Sequence, residues 1–88
     1  MKNVNFHELE IEMVNGETQK IDVHEAVGNY IFNNANDVAE HDLGRDIYHS
    51  QGEMELSDKQ SKIIERMADG MKYVLRKALK DAVKHDDE

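Results

Sequence analysis

Five histidines and nineteen acidic residues are the side chains of this 88-residue sequence best equipped for chemistry. Imidazole and carboxylate bind transition metals or relay protons when a fold brings three or more to one point. Two imidazoles on a helix share an ion at i,i+4 spacing, and no histidine pair here has it. His41 and His49 stand eight positions apart, about 12 Å along a helix axis, and do not chelate jointly. Asp46 and His49, three apart, supply only two ligands. Asp42 and Asp46 lack the alternating oxygens and central glycine of a calcium loop, and Asp42 suits a surface pair with Arg45. The expectation is no metal and no cofactor.

Covalent catalysis has little support either. There is no cysteine, and no glycine-rich phosphate loop leads into a helix. Ser50, Ser57 and Ser61 carry no local sign of activation, and Ser57 reads better as a helix N-cap. A water-excluding pocket of several hundred Å³ would also consume most of the core that so short a chain can build. The chain is therefore expected not to be an enzyme.

What remains is charge, and it is unevenly divided. Residues 1–57 hold three basic residues against twelve acids, residues 58–84 hold eight against four, and Asp86, Asp87 and Glu88 close the chain, for a net charge of −8. That balance opposes general affinity for nucleic acid or anionic lipid. The exception is local. On a helical wheel, Lys59, Lys62, Arg66, Lys77, Lys80 and Lys84 form a narrow stripe into which Tyr73 also projects. Opposite lie Ile63, Ile64, Met67, Met71, Val74, Leu75, Ala78 and Ala82. The stripe with Tyr73 is the candidate interaction surface, against the plain alternative of a solvated helix face. Met13, Met54, Met67 and Met71 read as core filler rather than as a binding groove.

The elements that must carry these groups follow from periodicity. Phe6 to Met13 alternates, with Leu9, Ile11 and Met13 on one face and Glu8, Glu10 and Glu12 on the other, as in a half-buried strand. A two-residue turn would set Ile21 opposite Glu10, on the polar face. A three-residue loop Val14-Asn15-Gly16, with Gly16 left-handed, sets Ile21 opposite Leu9 and is preferred. The hairpin has an edge to offer a partner strand, although such strands ordinarily cover a core. Asp22-Val23-His24-Glu25, Asp37-Val38-Ala39-Glu40 and Ser57-Asp58-Lys59-Gln60 each have capping-box spacing and predict three helix starts. The first helix would bury Val23, Ala26, Val27, Tyr30 and Ile31 and stop at Asn33–Asn36. The second would bury Ala39, Leu43 and Ile47 and stop at Gln51-Gly52. Glu53 to Leu56 predicts a third strand beside the hairpin. One helix from Lys59 to Lys84 would span about 40 Å, against a globule diameter of roughly 30 Å. Either it breaks at Gly70 or its overhang packs on a second chain; glycine inside a helix costs about 1 kcal/mol and favours the break.

Leu43-Gly44-Arg45-Asp46-Ile47-Tyr48, Glu55-Leu56-Ser57-Asp58 and Ile63-Ile64 together resemble small uncharacterised proteins encoded in phage and prophage regions. The resemblance runs through most of residues 8–80 by order of elements and rests on packing and capping positions. It implies a protein of a mobile element, acting in particle assembly or on a host protein, and brings no catalytic residues with it.

The expectation is thus a single α+β domain over residues 1–84, with a two- or three-stranded antiparallel sheet, an N-terminal β-hairpin and three or four helices, followed by an acidic, disordered tail at 85–88. No apolar segment suggests a leader or a membrane span, and an intracellular location is expected. With no disulfide to reinforce a small core, self-association is the expected source of extra burial. The leading functional expectation is a non-enzymatic protein-interaction module that binds a protein partner or itself. Its rivals are an acidic decoy of DNA phosphates and a nucleic-acid binder using the basic stripe.

Overall fold

The computed structural model describes residues 2–83; Lys84 and the acidic segment 85–88 lie outside the described residues. Strands β1 (Lys2–Asn5), β2 (Leu9–Glu12), β3 (Thr18–Ile21) and β4 (Glu53–Leu56) combine with helices α1 (His24–Asn33), α2 (Val38–Tyr48), α3 (Asp58–Ala68) and α4 (Tyr73–Ala82). The result is the expected α+β domain with an N-terminal hairpin. Its strands form two separate antiparallel pairs, β2–β3 and β1–β4.

The hairpin has the expected register. Leu9 lies opposite Ile21 and Glu12 opposite Thr18. The Met13 N–H bonds the Glu17 carbonyl at 2.7 Å, the Gly16 N–H bonds the Met13 carbonyl at 2.9 Å, and Gly16 has φ +88°. The positive φ is what glycine supplies in a three-residue loop. The side chains alternate accordingly, with Leu9 and Ile11 buried and Glu8, Glu10 and Glu12 exposed.

The strand expected from Phe6 starts three residues late. Phe6 is fully buried, and the chain turns over it: the His7 N–H bonds the Asn5 side chain at 2.9 Å and the Glu8 N–H bonds the Asn5 carbonyl at 3.1 Å. An asparagine that offers a local acceptor diverts the backbone from its ladder. Residues 2–5 before this turn form β1, which sequence periodicity did not disclose. β4 pairs with β1, setting Val4 opposite Met54, and not with the hairpin.

Two of the three helix starts differ in detail from the capping box. Ser57 satisfies it fully: its Oγ accepts from the Gln60 N–H at 3.1 Å while Gln60 Oε1 accepts from the Ser57 N–H at 2.9 Å. Asp37 caps α2 by accepting from the Glu40 N–H at 2.9 Å, but Glu40 reaches one residue further back, to the Asn36 N–H at 2.8 Å. Its other oxygen meets the Arg66 guanidinium on α3. This tie across helices buries Glu40 to 6% exposure and turns Ala39 outward. At α1 the N-cap is Val23, whose side chain has no acceptor to offer; Asp22, one residue earlier, accepts from the His24 N–H at 3.2 Å, and the Val23 N–H bonds the Phe6 carbonyl at 2.8 Å. Ala26 is exposed, and Gly28 takes the place it was expected to hold on the buried face.

Gly28 and Gly44 let α1 and α2 touch backbone to backbone. A Cβ at Gly28 would lie 2.7–2.8 Å from the backbone of Tyr48, and one at Gly44 would lie 2.5–2.9 Å from the backbone of Phe32 and Gly28. This close approach offsets the helix propensity that two interior glycines forgo.

The long C-terminal helix is broken, in the way the cost of an interior glycine favoured. The end of α3 tightens into i→i+3 bonds from Asp69, Gly70 and Met71 to Arg66, Met67 and Ala68. The Tyr30 hydroxyl of α1 fills the place where a Cβ on Gly70 would stand. The break resets the helical phase. Leu79 and Val83, outside the expected apolar arc, are fully buried, whereas Val74, inside it, is 49% exposed. Phe6, Val27, Ile31, Leu43, Ile47, Leu56 and Ile64 complete the buried centre.

Candidate functional site

The broken helix also divides the basic stripe. Lys59 and Lys62 are exposed on α3, and Arg66 turns to Glu40. On α4, Lys77 bonds Glu12 of β2 at 2.8 Å and Lys80 bonds Asp69 at 2.6 Å. Tyr73 is 64% exposed, with the Arg76 guanidinium 5.4 Å above its ring. The expected surface residues within the described chain therefore do not form one cationic face, and three of their cations are held by acids of the same molecule; Lys84 lies beyond the described residues.

The division leaves a groove in their place. It has a volume of about 500 Å³ between α4 and the two strand pairs. Val74, Ala78 and Ala82 give it an apolar side, Asn3, Val4 and Asn5 of β1 a second, and Glu8, Leu9, Glu10 and Glu12 a third, with Tyr73 and Asp81 also lining it. Four carboxylates and one ammonium, that of Lys77, thus line the groove, and Lys20 approaches Glu8 to 3.8 Å from outside it. The Lys77–Glu12 bond holds the Glu12 carboxyl below its usual range and the Lys77 ammonium above its own. β1 and β2 each have one strand neighbour among the described residues, so each has an edge with no strand beside it. Such edges are templates for strand addition.

A second constellation joins residues far apart in sequence. His7 lies in the β1–β2 turn, and Asp22 and His24 flank Val23 at the entry to α1. Asp22 Oδ2 is 3.4 Å from His7 Nδ1, and Asp22 Oδ1 bonds His24 Nδ1. The two imidazoles stack with centroids 3.8 Å apart and planes inclined by 19°. The bond from His24 holds the Asp22 carboxyl below its usual range. Spacing along a single element, the criterion applied to the histidines in sequence, does not test residues brought together by separate elements. The one available signal was that the alternating strand and the first capping sequence both carry a histidine at their start.

Comparison with protein-family models, with curated proteins and with solved structures finds no match. Function must be read from the groove, the cluster and the charges around them.

Proposed function

We propose that the protein is a non-enzymatic interaction module whose groove receives a basic, extended segment of a partner protein. The carrying observation is the lining of that groove, where Glu8, Glu10, Glu12 and Asp81 outnumber the one lining lysine, Lys77, beside the apolar surface of Val74 and Ala78. Apolar burial supplies affinity, and the carboxylates select sign and orientation. The edges of β1 and β2 that have no strand beside them supply main-chain partners for an extended peptide. A second copy is the other candidate occupant, in keeping with the burial argument for small domains. A net charge of −8 on each copy opposes that approach, so a basic partner is the better fit. The resemblance to small phage and prophage-encoded proteins would place such a partner in a mobile element or its host.

The test uses a fluorescently labelled peptide of alternating lysine and valine. The wild-type protein is expected to bind it, with affinity falling as salt rises. Val74→Asp separates docking from general attraction, because it adds negative charge while spoiling the apolar side. Groove binding predicts weaker affinity for Val74→Asp and for Glu10→Lys. Equal or tighter binding by Val74→Asp would refute the reading. Sedimentation of the unliganded protein over concentration reports the second-copy alternative.

A further inference from the structure

We infer that His7, Asp22 and His24 form a binding site for a zinc-class divalent metal ion, independent of the groove. The argument begins with a hydrogen bond outside the trio. His7 Nε2 lies 2.6 Å from the Ser50 carbonyl oxygen, which only accepts, so Nε2 carries the proton. In the neutral ring Nδ1 is then a bare lone pair, and it faces Asp22 Oδ2, another acceptor, at 3.4 Å. Two acceptors directed at one another call for a cation between them. The Nδ1 of His24 bonds the same carboxylate in the metal-free protein and ligates once its proton has moved to Nε2, and one donor atom from each of the three residues lies within 4.8 Å of the others. A ligating imidazole whose other nitrogen donates to a backbone carbonyl is the usual outer-shell arrangement of a metal site.

The scaffold around the trio is fixed. The Val23 N–H to Phe6 carbonyl bond joins the neighbours of all three ligands, and both Phe6 and Val23 are buried. The β1–β2 turn and the start of α1 are therefore clamped together before any ion arrives, which is the preorganisation a site requires. Two nitrogens and one carboxylate oxygen suit zinc and its late-transition neighbours, whereas magnesium and calcium take oxygen ligands. Tetrahedral zinc with bonds of 2.0–2.1 Å places its donors roughly 3.3 Å apart. Ion binding therefore requires side-chain rotations that splay the stacked rings and turn both nitrogens toward one point. Water completes the fourth position on the exposed side of Asp22.

Zinc chloride titrated into the untagged protein is expected to show saturable 1:1 binding by calorimetry and to raise the unfolding temperature. Asp22→Asn and His24→Gln should each weaken binding at least about tenfold and abolish the thermal shift. Asp22→Asn is close to isosteric at an exposed position, so it keeps the test decisive if the histidine variant folds poorly. His41→Gln, on α2 and outside the trio, should bind as the wild type does. Cobalt(II) should give the intense visible absorption of a tetrahedral site, and the ring-current shifts of His7 and His24 should change on zinc addition. Excess magnesium or calcium should not compete. Absence of saturable binding, or equal affinity in wild type and Asp22→Asn, would overturn the inference; a proton on His7 Nδ1 would then relieve the opposed acceptors instead.

Discussion

The α1–α2 crossing and the α4–β2 side of the molecule solve the same packing problem in opposite ways. At the crossing, two glycines let backbone meet backbone, with the Phe32 and His41 rings packed beside them. Between α4 and the strands, small and charged residues hold the elements apart around a groove of about 500 Å³. The close contact leaves a smaller cavity of about 180 Å³ beside Phe32 and Tyr48, and the open side contributes less to stability. Stability and binding are thus assigned to different halves, and substitutions should sort by half.

The largest effect is expected at the crossing. Gly28→Ala and Gly44→Ala should each cost about 3 kcal/mol in urea unfolding, the upper range for overpacking, because the new Cβ meets backbone that no rotamer can move. A loss below about 1 kcal/mol would show that the helices slide apart at little cost. Arg66→Ala should cost about 1–2 kcal/mol, since it leaves the Glu40 carboxylate buried with one backbone N–H for company; half-exposure of Arg66 keeps the figure from being larger. Ser61→Ala should act in the other direction. The Ser61 hydroxyl is buried in α3 without a hydrogen-bond partner among the described residues, and its removal should stabilise by about 1 kcal/mol. In the open half, Val74→Asp should change stability by no more than about 0.5 kcal/mol while weakening peptide binding, which is the sharpest separation of the two regions.

The smallest effect is the acid response of the ion pairs made by α4. Lys77 beside Glu12, and Lys80 beside Asp69, hold both carboxyls below their unfolded values of 4.5 and 3.8. Stability from each carboxylate is complete above its unfolded value and is lost as pH falls through its lower folded one. Lys77, raised above 10.5, contributes below that value and loses its share as pH rises through the folded one. Lys77→Met should therefore shallow the fall in stability below about pH 4.5 without altering the slope near neutrality. An unchanged acid limb would mean that the pair contributes nothing.

Much of this architecture was legible from residue pattern. The hairpin register followed from Leu9, Ile11 and Ile21, the α3 start from Ser57 and Gln60, and the break in the terminal region from helix length and Gly70. The failures share a cause, in that each involved a partner distant in sequence. β1 has no periodicity of its own and exists because β4 meets it. Asp22 stands one residue before the N-cap, its side chain bonded to the His24 N–H, because Val23, tied to Phe6, takes the capping position. Leu79 and Val83 escaped the helical wheel because one phase was carried through a turn that Tyr30 helps to fix. The divided stripe follows from the same reset, and the histidine–aspartate trio was hidden because its members belong to two junctions.

The β1–β4 ladder joins Val4 to Met54, with the hairpin and both glycine-bearing helices threaded between. Closing a loop of about fifty residues costs roughly 3–4 kcal/mol of chain entropy, whereas the hairpin and the α1–α2 pair close short ones. Assembly should accordingly proceed from the interior of the chain outward. On the ribosome, Lys2–Asn5 emerges early yet must wait, its main-chain groups still wet, until Leu56 has cleared the exit tunnel.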